Sequence, residues 1–383
     1  MSYRINNSLT NVMECNSNIT LNVSEADDYI STNSYADVDE LFITKIFPII
    51  LVFGVLNNGI FLFVLYRVHR MRTTLNALLA SLAISDILFL ILAVGEKTLR
   101  FSSSTFANDV FPFSAKSYTI LQSFIELTFQ ASLIAITTVA YERYNVVCHP
   151  TLQRESPTRK VGLNIQTRCI KQRHLVKLLC FIWGTGLFFS ILFLPPNIRY
   201  CHICIEWPPG GNYTDYPTTI LEQNITAGFQ VYYNISQGIP FIVAFFLNSY
   251  FYFKLIRVLK KHTQSVCKEH TDIVTRRRQR KQRITHMLLI NSAVYFVCLA
   301  PYMLTCFLGG IVGVWNSETA SKILLENNTI FTNLSRTFMY LNSAVNSLLY
   351  TTFSVVYRTA YVEALCFKKA VNHDNRISEL RSI

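Results

Sequence analysis

The chain has 383 residues, 51% of them hydrophobic and only 15% charged, where a soluble domain carries about a quarter charged residues. Depleted charge over such a length excludes a large soluble domain and points to lipid. The formal charge of +12 would suit a nucleic-acid partner, but its placement along the chain, described below, excludes that reading.

Crossing a bilayer takes about 20 apolar residues. Seven runs qualify, at 46–66, 75–94, 119–140, 175–194, 231–253, 284–311 and 330–353. The odd number sets the two ends of the chain on opposite sides of the membrane. The predicted architecture is all-α: a seven-transmembrane helix bundle over 44–353, preceded by an outer segment, 1–43, and followed by an amphipathic eighth helix and tail, 354–383. The first forty residues are polar, so the first span is expected to act as its own insertion signal.

Short loops rich in Lys and Arg stay in the cytoplasm. With the N-terminus outside, the inner segments hold 27 of the 35 basic residues. The reverse topology would invert that bias. N-x-S/T triplets headed by Asn6, Asn18, Asn22, Asn212, Asn224, Asn327 and Asn333 all fall in or beside the outer segments. Asn234 heads another but sits inside the fifth span. The basic cluster 276–283 abuts the sixth span on its inner side, where anionic lipid and an acidic protein surface attract it; it is not read as a nucleic-acid site.

Polar residues inside membrane helices are costly and functional by default. In chain order they are Asn58 in GVLNNG, Asp86 in LASLAISDILFL, Arg143 in YERYNVVCHP, Trp183 in the fourth span, Pro240 in the fifth, Pro301 in CLAPY and Asn346 in LNSAVNSLLY. This order resembles the rhodopsin-like family of G-protein-coupled receptors, over about residues 44–366. The resemblance implies a polar pocket of Asp86, Ser132, Asn342 and Asn346 that holds a sodium ion in many such receptors, a hard cation taking oxygen ligands. A buried hydrogen-bond cluster without the ion is the alternative; no other cofactor is expected. It also implies a cytoplasmic switch of Glu142, Arg143, Tyr144 and Tyr350, in which the arginine pairs with its acidic neighbour at rest and meets the G protein when the inner face opens. Pro240 and Pro301 are expected to kink their spans. Beyond the seventh span, Val356, Tyr357, Ala360, Tyr361, Ala364 and Leu365 share one helical face that would lie along the inner leaflet. Cys366 at its end is a palmitoylation candidate.

The chain departs from the family pattern in several places. The cysteine expected at the outer end of the third span is Tyr118, so the usual bridge to the second outer loop is excluded. Three outer cysteines remain, Cys15, Cys201 and Cys204, leaving open a bridge from Cys15 to the loop or one between Cys201 and Cys204. Leu299, Ser347 and Asn248 replace an expected tryptophan, proline and tyrosine, and Lys281 stands where an acid would clamp Arg143.

Candidate ligand-pocket residues are Glu96, Lys97, Glu126, Tyr302, Arg336 and Tyr340. Glu126, inside a span, must pair or meet water, with Lys97 or Arg336 as its expected structural partner. The outer side carries fifteen acidic against eight basic residues, a surface that attracts cations. The expected partners are therefore an extracellular peptide, basic or amidated, a heterotrimeric G protein and the bilayer of the plasma membrane. A chemosensory or lipid receptor of the same fold is the alternative; some lipid receptors carry a bridge within the second outer loop. No internal repeat suggests a transporter, and no catalytic constellation suggests an enzyme.

Overall fold

The computed structural model describes residues 16–148, 163–192, 199–224, 227–265, 272–315 and 329–365. Asn6, Cys15, Asn327 and Cys366 lie outside them, as do the side chains of Asn18, Asn224 and Lys281. In chain order the elements are β1 (Asn16–Thr20), α1 (Val23–Asn33), α2 (Asp37–Arg67), α3 (Thr74–Ser103), α4 (Ala115–Cys148), α5 (Leu163–Leu192), β2 (Arg199–Glu206), β3 (Thr219–Asn224), α6 (Ala227–Ser265), α7 (Asp272–Trp315), α8 (Thr329–Phe353) and α9 (Val355–Leu365).

The helices α2 to α7 each contain a stretch long and apolar enough to cross a bilayer. On α2, Ile49, Val52, Phe53, Leu56, Ile60 and Phe63 recur at helical spacing and are exposed, while Asn58 is fully buried. That inside-out pattern is what a lipid solvent selects. The seventh helix, α8, turns Asn342, Ser343, Asn346 and Ser347 into the interior. It packs against α7, α2 and α3, and the ring closes through α3–α4, α4–α5, α4–α6 and α6–α7 contacts. The helix α9 is seated by Tyr357, Ala360 and Ala364, which are buried, while Val355, Val362 and Leu365 are exposed. Of the face expected to meet lipid, Tyr357, Ala360 and Ala364 therefore meet the bundle instead.

A small cap covers the outer mouth. β2 and β3 form an antiparallel hairpin, and β1 adds to β2 in parallel with Asn16 opposite His202 and Thr20 opposite Glu206. Helix α1 follows, its first turn closed by Asn22, whose Oδ1 accepts from the Glu25 backbone at 3.0 Å while the Glu25 side chain accepts from the Asn22 backbone. This reciprocal box satisfies two otherwise unpaired amides. Leu21, Ala26, Phe106, Ile203, Ile205 and Ile220 make the cap's core, with Trp207 stacked on Tyr213 at 5.2 Å between ring centres. Burial and the nearby Glu222 push the Tyr29 phenol up to about 12, so this core stays uncharged at neutral pH.

One N-x-S/T triplet differs from the others in its setting. Asn333 is buried on α8 and donates its amide to Asp39 Oδ1 at 2.6 Å. A glycan cannot be added to an amide packed inside the bundle.

Candidate functional site

The bundle carries polar groups at three depths. In the middle, Asp86 on α3 is fully buried. Its Oδ1 accepts from Ser132 Oγ on α4 at 2.9 Å and its Oδ2 from Asn346 Nδ2 on α8 at 2.7 Å. The oxygens of Asn342 and Asn346 are buried without a donor. A carboxylate, a hydroxyl and two unsatisfied amide oxygens form a donor set that suits a hard cation, so these residues fit the sodium ion that the resemblance implies.

The departures from the pattern are compensated locally. Ser347, where a proline was expected, donates its hydroxyl to Asn58 Oδ1 at 2.6 Å, and Asn58 Nδ2 donates to the Ser343 carbonyl at 2.9 Å. Asn248, in place of a tyrosine, donates to Thr137 Oγ1 at 2.8 Å. Leu299 is simply core.

At the inner end the expected pair between Glu142 and Arg143 is absent among the described ion pairs. Glu142 Oε2 instead meets His174 Nε2 of α5 at 3.2 Å, and Arg143 Nε is buried with no hydrogen-bond partner. The carboxylate of Glu142 is taken by a donor from the neighbouring helix rather than by the next residue of its own. Tyr350 is buried between Phe61 and Tyr357, and Tyr144 lies on Phe251 at 5.5 Å between centres.

At the outer end the predicted pocket residues divide into separate groups. Glu96 and Lys97 are neighbours at 3.4 Å, but Glu96 is held chiefly by Arg100, which sequence reading missed. Arg100 donates to Glu96 Oε1 at 3.0 Å, to Tyr118 Oη at 3.3 Å and to the carbonyls of Asp109, at 2.8 Å, and Ala107. The available signal was the spacing, since Glu96 and Arg100 stand four apart on one helix. Tyr118 in turn donates to Glu96 at 3.1 Å and sets its ring edge-on to Tyr200 of β2. Where the family would place a disulfide, this chain has an aromatic and ionic latch.

Glu126 stands apart from that group. Its two oxygens accept from Gln130 Nε2 at 2.7 Å and from Gln237 Nε2 of α6 at 2.8 Å, and no cation of the described residues forms an ion pair with it. The expected pairing with Lys97 or Arg336 is therefore corrected: amides hold Glu126. Arg336 makes no ion pair among the described residues either. Tyr340 is core, packed edge-on to Phe47 at 5.0 Å; Tyr302 is half-buried beside the same cluster. Above these groups an open cleft of about 750 Å³ lies between α1, α2, α3 and the hairpin, lined by Asp37, Glu40, Asp109 and Asp215 among others.

Cys201 and Cys204 both lie in β2, paired to Glu222 and Thr219 of β3. Three residues of extended chain separate their Cα atoms by roughly 10 Å, beyond the ~7 Å limit of a disulfide. A bridge between these two is excluded, and with it the outer-loop bridge that favoured a lipid receptor.

Seven helices in a closed ring, a buried Asp–Ser–Asn cluster at mid-depth and an Arg-bearing inner mouth define a seven-helix membrane receptor. The sequence model of the 7 transmembrane receptor (rhodopsin family) matches residues 57–350, and the chain belongs to that family. It is similar to neuromedin-U receptor 2 of Mus musculus, 26% identical over 322 residues that span 83% of this chain and 74% of that one. The allatostatin-A receptor of Bombyx mori is 22% identical over 355 residues, 90% and 87% of the two chains. Tachykinin-like peptides receptor 86C of Drosophila melanogaster is 24% identical over 325 residues, 84% and 58%. The family is one of receptors and not enzymes, and the chain is a multi-pass membrane protein.

Proposed function

We propose that this chain is a plasma-membrane receptor that binds an extracellular peptide bearing a basic residue and activates a heterotrimeric G protein at its inner face. The observation that carries the proposal is Glu126, a half-buried carboxylate held by two neutral amides, with which no cation of the described residues forms an ion pair. Burying an unbalanced charge is costly, and a guanidinium or ammonium brought by a ligand removes that cost. The acidic cleft beside the cap attracts the same cation, Arg336 offers donors to the peptide's carbonyl or terminal groups, and the relatives are named as receptors for neuromedin-U, allatostatin-A and tachykinin-like peptides. The test is to challenge cells expressing the chain and a promiscuous G protein with peptide and lipid libraries. Activation by basic or amidated peptides is expected; activation by lipids or odorants alone would overturn the reading.

The outward N-terminus belongs to the same proposal. Asn22 and Asn212 are exposed, and the Asn22 cap uses its oxygen, which leaves the amide nitrogen for a glycan. Asn6, Asn18, Asn224 and Asn327 are the further acceptors. Glycosidase treatment should increase gel mobility, Asn22→Gln should remove one step of that shift and Asn333→Gln none. An epitope on the C-terminus should stain only permeabilised cells, and staining of intact cells would reverse the topology. Cys366 palmitoylation, which would tether the tail to the inner leaflet, is tested by hydroxylamine-sensitive labelling that Cys366→Ser abolishes.

A bridge from Cys15 to the loop is the remaining use of the outer cysteines. β1 begins at Asn16, which lies opposite His202 in the parallel pairing with β2, so the described strand that follows Cys15 in sequence runs beside the strand that carries Cys201. Cys15→Ser and Cys201→Ser should each lower surface expression to the same extent, the double variant no further, and Cys204→Ser should have little effect. Losing such a bridge costs about 2–5 kcal/mol. Additive losses in the double variant would refute the pairing.

The sodium ion is proposed to sit between Asp86, Ser132, Asn342 and Asn346, drawing α3, α4 and α8 together. Replacing sodium by choline in the medium should then strengthen agonist binding in the wild type and leave Asp86→Asn unchanged. Equal responses in the two proteins would remove the ion from the proposal.

A further inference from the structure

The inner mouth holds a pairing that the switch motif does not describe. Glu142 is buried, at 7% exposure, and a buried carboxylate needs a donor. It finds one across the helix interface in His174, whose Nε2 lies 3.2 Å from Glu142 Oε2 and whose side chain is 49% exposed. Arg143, one residue along α4, lies near Tyr357, Glu142 and Tyr252, yet among the described residues the ion pair of Glu142 is with His174 and not with Arg143. Its Nε is left without an acceptor.

We propose that His174 is a positioning residue of the cytoplasmic switch, holding the Glu142 carboxylate on α5 so that the Arg143 guanidinium stays free of its neighbour. The restraint that would tie the arginine down within α4 is thereby transferred to a contact between α4 and α5. Without His174 the carboxylate must take another donor, and the arginine, adjacent and short of an acceptor, supplies it. A guanidinium bound in that way is withdrawn from whatever the inner face meets when it opens. His174 therefore favours the open inner face even without a ligand. The consequence for signalling rests on the G-protein reading above; the pairing itself does not.

The test uses the full chain in two formats. Purified protein carrying nitroxide labels at the inner ends of α4 and α7 reports the opening as a distance distribution, and cells at matched surface expression report ligand-independent G-protein activation. His174→Ala should shift the distances toward the closed form and lower basal signalling by roughly threefold or more. His174→Arg, which keeps a donor for Glu142, should behave as wild type. In a Glu142→Gln background the His174→Ala effect should vanish, because no carboxylate remains to be released; a merely structural role for His174 would persist there. Unchanged distances in His174→Ala, or an equal shift in the Glu142→Gln background, would overturn the inference. Distances that shift as expected while no variant activates a G protein would support the pairing and count against the G-protein reading.

Discussion

Glu126→Gln is expected to weaken the activating peptide by roughly 30-fold or more, at unchanged surface expression. Truncating one partner of a buried charge pair costs about 2–5 kcal/mol, and about 1.4 kcal/mol is tenfold in affinity. Glutamine keeps the length and the hydrogen-bonding capacity, so Gln130 and Gln237 retain a partner and the local packing is preserved. Because no described cation is left behind, thermal stability should hold or rise. That combination separates a binding role from a structural one, in which stability would fall with potency. A further control is a peptide whose basic residue is replaced by a neutral one. It should be weak on the wild type and no weaker on Glu126→Gln. Equal potency of the parent peptide on both proteins would remove Glu126 from the site.

Arg100→Leu should remove most of the folded receptor from the cell surface. Arg100 is buried, and its guanidinium serves a carboxylate, a phenol and two backbone carbonyls at once. Its loss leaves Glu96 with the partly buried Lys97 and the Tyr118 hydroxyl and strands the Ala107 and Asp109 carbonyls. Breaking a buried ion pair costs about 3–5 kcal/mol, and marginal membrane bundles have little more than that to lose. Arg100→Lys should not rescue, since a point charge cannot reproduce the planar fork. Tyr118→Phe, which removes the hydrogen bond given to Glu96 and the one accepted from Arg100, should cost about 1.5–3 kcal/mol for each. Surface labelling and melting of the purified protein decide the matter; wild-type expression of Arg100→Leu would show that the latch carries no stability.

The membrane helices were legible because lipid demands long apolar runs: six of the seven runs fall on described helices long and apolar enough to cross a bilayer, and the seventh falls on the helix Thr329–Phe353. Their ends were not. The first helix starts at Asp37, nine residues before its apolar run, because the turns above the bilayer are polar and leave no hydropathic mark. The second outer loop was long enough to suggest a hairpin, but Asn16–Thr20, five residues of mostly polar sequence, gave no sign that it would add a strand. In the site, Asp86 and Asn346 stood out because burying polar groups in a membrane helix needs a reason, whereas Ser132 and Asn342 came from the family resemblance alone. Glu126 was singled out on the same ground, yet its partners were misjudged: opposite charge suggested Lys97 or Arg336, whereas Gln130 was in view one helical turn away and Gln237 came from packing alone. Glu142 was assigned to its sequence neighbour because its partner, His174, comes from another helix and only packing brings the two together.

The cap also constrains how the protein is made. Thr20 and Glu206 bond to each other across 186 residues of chain, and four membrane helices are synthesised between them. At about 5–20 residues per second, the first strand waits roughly 10–40 s before its partner exists. In the proposed orientation that wait is spent in the lumen of the endoplasmic reticulum, with the acceptor asparagines at 18 and 22 open to the transferase. Glycans there would be in place before the sheet closes, and slowing elongation between α2 and β2 should raise their occupancy without altering the finished fold.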